Sequence, residues 1–473
     1  MRSFDAPAWL ILDRAGGDLP GQIDSAFRAR ILAGDLPAGT RLPSSRLLAA
    51  ALGVARSTVV DAFERLKAEG YLIARAGSGT QVAVLAPSPL RGRRAEVASP
   101  RMPDALPSVA GLFRPGIPDL ADFPRAAWAR CLAARARRLD GSALGYDAPS
   151  GLPALREAVL EHVSATRGVV ARPEQVLILP TTRAAIDLLA RLMVLRDGAG
   201  PPVAWIEEPG YPAARALLAA AGARLVGIAC DRSGIDPGLG EAPPRLIYVT
   251  PSHQYPTGVT LSLSRRLALL EVARRHRALI LEDDYDSEFQ YGSRPIAALQ
   301  GIDRADCVAY LGTFAKVLAP GLRVAYAIVP RMLAEEAAAA IERQGLAVPV
   351  HIQAALADFI REGRLRAHLR RMKQIYEARM AATVAALIRH CDAVLEVPPG
   401  SGGLQLAAWF RDRATDDAAA AQRLARRGYG ILPMSAFHLG PARPGLVLGI
   451  ARMGVDDADG AVAGIAHVLM RVG

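Results

Sequence analysis

Cysteine is scarce in this 473-residue chain: the four present, Cys131, Cys230, Cys307 and Cys391, lie far apart and show no paired spacing. That pattern excludes a disulfide frame and a thiolate metal site, and it suits small buried residues in a reducing compartment. The eight histidines, His162, His253, His276, His351, His368, His390, His438 and His467, show no ligand spacing either, so no metal is expected. His253 reads instead as a pocket or structural hydrogen-bonding residue. No convincing uncharged run of 18 residues occurs, which removes the expectation of a membrane span. The opening stretch carries Asp5, Asp13 and Asp18 without a sustained apolar run and does not read as a signal peptide, so a cytoplasmic location is expected.

What is present is length and basic charge. Single cores rarely grow past about 250 to 300 residues, so a chain of this size calls for at least two domains. Apolar residues at 51% and charged residues at 22% describe a globular chain rather than a disordered one. The formal charge of +11 comes from 57 Lys and Arg against 46 Asp and Glu, with Arg greatly outnumbering Lys. Such a balance favours polyanion partners, but a GC-rich genome enriches Arg, Ala and Gly as well. Residues 1–100 hold only thirteen basic against nine acidic side chains, so any argument for nucleic acid has to come from pattern.

The pattern is there. Ile23, Phe27, Ile31 and Leu32 fall at helical spacing between Gln22 and Leu36, and the run stops at Gly34 and Pro37. A short second helix is expected over Ser44 to Leu52, capped by Ser44 or Ser45 and ended by Gly53. From Val54 to Leu66, the residues Val59, Phe63 and Leu66 form a buried stripe, with Arg56, Ser57 and Thr58 at the exposed start. Helix, tight turn, helix is the arrangement that sets the beginning of the second helix into a major groove. Tyr71 to Val84 then reads as two short strands around Gly77-Ser78-Gly79-Thr80, which makes a wing.

The run Leu36-Pro37-Ala38-Gly39-Thr40-Arg41-Leu42-Pro43-Ser44-Ser45-Arg46, the helix from Arg56 and the Gly77–Thr80 turn together resemble the winged helix of the GntR family. The resemblance implies a dimer that reads a two-fold or repeated double-stranded DNA operator. Arg41, Ser45, Arg46, Arg56, Ser57, Thr58, Arg75, Gly77 and Thr80 are then the candidate DNA-contacting residues. Arg41, Arg46 and Arg56 suit phosphates, and Arg56 or Thr58 suits base edges if the helix enters the groove end-on. Ser57 also suits a local role as a helix cap whose backbone N–H faces a phosphate. Gly77 permits the tight turn that brings Arg75 or Thr80 to the DNA backbone.

Residues 85–110, broken by Pro87, Pro89, Pro100, Pro103 and Pro107, read as a partly stiff linker between a winged-helix domain at 1–84 and a large domain at 111–473. After Phe113, alanine-rich helical stretches alternate with short apolar strands at Gln175–Leu179, Pro202–Ile206, Leu225–Ile228, Leu246–Val249, Ala278–Leu281 and Cys307–Leu311. That alternation calls for a mostly parallel sheet covered on both faces. A smaller α+β unit is expected from about Arg379 to the end.

Three stretches of the large domain follow strands and carry chemistry. Leu311-Gly312-Thr313-Phe314-Ala315-Lys316 would hold Lys316 on a loop at a sheet edge, with Arg323 seven residues later placed to neutralise a phosphate. Leu281-Glu282-Asp283-Asp284-Tyr285-Asp286-Ser287-Glu288-Phe289 is an acidic cluster whose burial demands charged partners. Val249-Thr250-Pro251-Ser252-His253-Gln254-Tyr255-Pro256-Thr257-Gly258 is dense in turn residues that shape a pocket.

With Glu208-Pro209-Gly210-Tyr211-Pro212, these stretches resemble fold-type I aminotransferases, and more closely the MocR subfamily of GntR regulators, over essentially the whole chain. The fold class this implies is an α/β multidomain chain: an N-terminal winged helix-turn-helix and an aminotransferase-like domain that binds pyridoxal 5'-phosphate, ending in a small α+β subdomain. By the resemblance Lys316 is the Schiff-base lysine, Asp283 pairs with the pyridine nitrogen and Tyr285 reaches the phenolic oxygen. Tyr211 stacks on the ring and Arg323 contacts the phosphate. A head-to-tail homodimer is implied, with pyridoxal phosphate, an amine or an amino acid as effector; the alternative is a working aminotransferase with an accessory DNA-binding domain. Three departures stand out. Ala315 replaces a usual serine, the turn at Pro180-Thr181-Thr182 lacks a glycine, which leaves Thr181 or Thr182, the helix-end N–H groups and Arg183 as the candidates to hold the phosphate, and Val447 falls where aminotransferases place the arginine that clamps a substrate carboxylate.

Overall fold

A computed structural model of the chain describes residues 7–84 and 111–470, apart from 8, 15, 76–78, 139–140, 142–143, 146–147, 196–200, 292–296 and 401. The expected linker, Gly77 and the side chain of Arg75 lie outside the described residues. The chain divides into two compact units, Met1–Asp104 and Ala105–Gly473.

The first unit consists of α1 (Leu19–Ala33), α2 (Ser45–Leu52), α3 (Arg56–Ala68) and an antiparallel ribbon of β1 (Leu72–Arg75) and β2 (Gly79–Val82). Asp18 caps α1 by accepting from Gly21 N, Ser44 caps α2 by accepting from Leu47 N, and Gly34 and Gly53 end these helices in the left-handed conformation. The expected stripe is the core: Ile23, Phe27, Leu48, Val59, Phe63 and Leu66 are buried together. Phe27 meets Trp9 and Phe63 edge-on at 5.2 and 5.7 Å. Each large apolar side chain buried this way contributes about 1.5–3 kcal/mol. One expectation needs correcting. The N-cap of α3 is Ala55, which makes no side-chain cap, and Ser57 already lies inside the helix with an exposed side chain.

The second unit carries α4 (Arg125–Ala136), α5 (Pro153–Arg167), β3 (Val176–Leu179), α6 (Thr182–Leu195), β4 (Val203–Glu208), α7 (Pro212–Ala220), β5 (Arg224–Asp231), β6 (Gly234–Ile235), β7 (Leu246–Val249), α8 (Leu263–His276), β8 (Leu279–Asp284), α9 (Leu299–Ile302), β9 (Val308–Thr313), α10 (Phe314–Val317) and β10 (Ala325–Ile328). Its eight-stranded sheet has the order β3-β10-β9-β8-β7-β4-β5-β6. Strands β9, β8, β7, β4 and β5 are parallel, whereas β10 runs antiparallel between β3 and β9, and β6 antiparallel at the far edge. Runs such as Val-Leu-Ile-Leu in β3 and Leu-Ile-Tyr-Val in β7 are buried at every residue, as strands covered by helices on both faces must be.

Beyond the sheet come α11 (Arg331–Gln344), α12 (Val350–Arg361) and the 28-residue α13 (Arg364–Cys391). A four-stranded antiparallel sheet in the order β11-β12-β14-β13 follows, built from β11 (Leu395–Glu396), β12 (Gln405–Phe410), β13 (Leu432–Pro433) and β14 (Gly445–Gly449). Helices α14 (Asp417–Ala425) and α15 (Ala458–Met470) complete this smaller layer, and α15 packs on α13. Arg379, where the sequence reading starts the small unit, lies inside α13. Among the described residues no helix is long and apolar enough to cross a membrane.

Candidate functional site

Strand direction assembles the site. Strands β3, β4, β7, β8 and β9 point the same way, so the residues that follow them, or end them, meet at one edge of the sheet; β10 starts from that edge. Thr181 and Thr182 follow β3, Tyr211 follows β4, Asp283 is the last residue but one of β8, Lys316 follows β9, and Arg323 precedes β10. All six, with Tyr285, line a single cavity of about 230 Å³. The structure therefore brings together every residue expected of the cofactor site.

Lys316 sits on the one-turn helix α10 rather than on an open loop, and Thr313 caps that turn by accepting from Ala315 N. Burial lowers the ammonium pKa, while Asp286 and Asp283 pull the other way. The Nζ donates to the Gly116 carbonyl. Asp283 is 4% exposed and receives the Tyr248 hydroxyl on Oδ2 at 2.7 Å, whereas its Oδ1 is buried with no hydrogen-bond partner. Burial pushes this carboxyl up to about 6. Tyr211 lies 6.5 Å from Tyr248 ring to ring, and its hydroxyl accepts from Arg183 Nε at 3.1 Å. Arg323 adopts the left-handed conformation after the Pro320–Leu322 turn, with φ 52°.

The acidic cluster is held from behind. Arg167 donates to Asp284 at 2.8 Å and to Ser252 at 2.5 Å, and Tyr310 donates to Asp284 at 2.6 Å. Burial works against the Arg167 charge, but Asp284 outweighs it and raises the guanidinium pKa. Glu282 accepts the backbone N–H groups of Leu299 and Gln300 at 2.7 and 2.8 Å.

Val447 is fully buried on β14 with Ala407, Met434 and Phe437, so that strand presents no cation at this position. Arg443 pairs with Glu396 and lies over Trp409, and Arg452 donates to the Gly111 carbonyl; neither lines the cavity. Sequence reasoning missed Gly116, Tyr248 and Gln405 as lining residues. A polar residue opening a strand, as Gln405 opens β12, and a tyrosine inside an apolar strand, as Tyr248 is in β7, were the available signals.

In the first unit, Arg41, Arg46, Arg56 and Ser57 are exposed, and Ser45, Thr58 and Thr80 are half-buried. Arg56 Nε donates to Ser45 Oγ at 3.4 Å, which joins the starts of α2 and α3. Arg41 bridges to Gln81 beside the wing. None of the three arginines has a carboxylate partner among the described residues, which leaves them free for an external anion.

Residues 20–82 match the family described as "Bacterial regulatory proteins, gntR family", and residues 120–458 match "Aminotransferase class I and II". The chain is 40% identical to the probable rhizopine catabolism regulatory protein MocR of Rhizobium meliloti, over 94% of this chain and 92% of that protein. The chain belongs to the MocR group of GntR-family transcription regulators. The HTH-type pyridoxine biosynthesis transcriptional regulator PdxR of Corynebacterium glutamicum is 32% identical, over 91% of each chain. Among solved structures, LysN, the alpha-aminoadipate aminotransferase of Thermus thermophilus complexed with N-(5'-phosphopyridoxyl)-L-leucine, aligns with a TM-score of 0.69 and 25% identity over 77% of this chain and 93% of that one.

A MocR-group regulator joins a DNA-binding winged helix to an aminotransferase-like unit that takes pyridoxal phosphate, and this regulator's cavity fits that group. The orphaned Asp283 Oδ1 is an anionic acceptor for a protonated ring nitrogen. The start of α6 at Thr181 and Thr182, with Arg323, supplies donors and positive charge for a phosphate. Ala315, which also lines the cavity, adds no hydroxyl there.

Proposed function

We propose that this regulator reads an operator with Arg41, Ser45, Arg46, Arg56, Ser57, Thr58, Arg75, Gly77 and Thr80, and changes its DNA affinity when the Lys316 site changes occupant. The proposed assembly is a cytoplasmic head-to-tail homodimer, and the effector is pyridoxal phosphate itself or an amine or amino acid that exchanges with Lys316. One observation carries the reading: Lys316, Asp283, Tyr285, Tyr211, Arg323, Thr181 and Thr182 share one cavity in a chain that also holds a winged helix.

Each residue has a task. Burial favours the neutral Lys316 amine, the form that attacks a carbonyl, and the Gly116 carbonyl orients it. Asp283, steadied by Tyr248, holds a proton on the ring nitrogen through its free Oδ1. Tyr211 offers an aromatic face, and Tyr285 a hydroxyl for the phenolic oxygen. When bound, the cofactor supplies an aldehyde that joins reversibly to amines and a ring that accepts electrons. Val447 supports sensing over turnover, because a buried valine cannot clamp a carboxylate. Coupling requires that the occupant favour one arrangement of the protein over another.

The test selects a DNA target from a random pool with the full chain, then measures its affinity against added pyridoxal phosphate and a panel of amines and amino acids. A change in affinity for at least one, absent in Lys316→Ala, is the expected result. Many turnovers per site with amino and keto acids, or DNA affinity indifferent to every addition, would overturn the reading.

A further inference from the structure

Two groups outside the expected set hold the Tyr285 hydroxyl. Gln405 Nε2 donates to it at 2.7 Å, and His253 Nδ1 lies 3.0 Å from it. His253 Nδ1 is also 3.2 Å from Asp286 Oδ1, with side-chain exposures of 6% and 0%. An imidazole nitrogen facing a carboxylate carries its proton on that side, because a lone pair there would face negative charge. The hydrogen bond of that proton goes to the Tyr285 oxygen, since Asp286 Oδ1 is left without a hydrogen-bond partner and acts through its charge, so the Tyr285 oxygen accepts from both His253 and Gln405. A phenol has a single proton to give, and with its lone pairs occupied that proton is left for the cavity.

We propose that His253, held by Asp286, is a positioning residue of this site: with Gln405 it fixes the Tyr285 hydroxyl as a donor aimed into the cavity, at an anionic oxygen of the ligand. The inference rests on the reading that Tyr285 meets the phenolic oxygen of pyridoxal phosphate.

Packing leaves the imidazole little freedom. Gly403 has φ +74°, and a Cβ there would lie 2.1 Å from His253 Cε1 and 2.7 Å from Asp286 Oδ2. On the other side, a Cβ at Gly258 would lie 3.0 Å from His253 Nε2. The charged group facing His253 is Asp286, and Tyr285 is faced by Asp286, Tyr255, Asp283 and Glu207. Burial opposes a charged His253, but Asp286 outweighs it and raises the ring's pKa. Burial first, and then these neighbours, raises Tyr285 well above the ordinary phenol value. Tyr285 therefore keeps its proton at neutral pH.

The experiment loads the full chain with pyridoxal phosphate and reads the pH midpoint of its visible absorption band. A proton donated to the phenolic oxygen stabilises negative charge there, so loss of the donor raises the midpoint. Y285F sets the full effect, on the order of one to two pH units. H253L is expected to raise the midpoint by about one unit, and H253L/Y285F to go no further than Y285F alone. H253N, whose amide can replace the Nδ1 donor, returns most of the shift. Q405L repeats the comparison from the other donor with His253 intact. Additive shifts in H253L/Y285F, or parental midpoints in H253L and Q405L while Y285F moves, overturn the proposal. A parental midpoint in Y285F overturns the placement of Tyr285 at that oxygen, and the proposal with it.

Discussion

Replacing Asp283 with Asn is expected to move the cofactor-free fold and the loaded site in opposite directions. Without cofactor, the carboxylate is buried with only the Tyr248 hydroxyl as partner. Burial is the main reason its pKa climbs from 3.8 to about 6, against the opposing pull of that hydrogen bond. An acid that holds its proton more tightly when folded destabilises the fold as pH rises from its unfolded value through its folded one. The loss is absent below about pH 4 and complete above about pH 6, and the rise in pKa corresponds to about 3 kcal/mol. Asn keeps the shape and an acceptor for Tyr248 but has no charge to bury. Cofactor-free D283N should therefore resist urea better than the parent near pH 8, by up to about 3 kcal/mol, with the gap closing towards pH 4. Glu282 and Glu288, raised by burial to about 7 and 8, are common to both proteins and drop out of the difference, whereas Glu207, raised to about 7 by burial first and in part by the Asp283 charge, is relieved by D283N in the same stabilising direction. In the loaded site the same change removes a charge-assisted hydrogen bond of about 1.5–3 kcal/mol. Pyridoxal phosphate, titrated by its visible band, should bind roughly ten- to a hundredfold more weakly. A cofactor-free D283N less stable than the parent at pH 8, or one that binds the cofactor unchanged, would refute this account of Asp283.

Lysine supplies a clean label, since the chain has three, Lys67, Lys316 and Lys373. Borohydride reduction of the loaded protein followed by peptide mapping should mark Lys316, and K316A should lose both the mark and the visible band while its DNA unit stays folded. R56A should weaken binding to the selected DNA about tenfold and lower the salt slope by about one, with the visible spectrum untouched; fluorescence anisotropy across a salt series measures both. Replacing Arg167 by Met leaves the buried Asp284 carboxylate with the Tyr310 hydroxyl but without its paired guanidinium, since the Arg167 and Asp284 side chains are 3% and 1% exposed. That should destabilise the large unit by about 3–5 kcal/mol in urea unfolding, and a loss under about 1 kcal/mol would mean Asp284 is satisfied without the guanidinium.

Local signals carried far. The stripe Val59, Phe63 and Leu66 located α3 because helical spacing leaves one face to bury, and apolar runs located β3, β7 and the first halves of β8 and β9 because strands covered on both faces are largely apolar. The helix cap was less legible: Ser57 is a good capping residue by type, but the turn after Gly53 brings the helix start to Ala55. The same limit applied to Lys316, which lies on one turn of helix because Thr313 caps it.

By itself the sequence determined the two-part organisation and the parallel-rich sheet, which are written in local periodicity, and its motifs, through their resemblance to the aminotransferase family, named seven of the residues that line the cavity. Only the tertiary structure decided which partners complete them. Tyr248 on Asp283, Gly116 on Lys316, and His253 with Gln405 on Tyr285 are separated along the chain by 35, 200, 32 and 120 residues. Such pairs meet because parallel strands end at a common edge and the C-terminal sheet closes over it, a consequence of strand order that no local window of sequence contains.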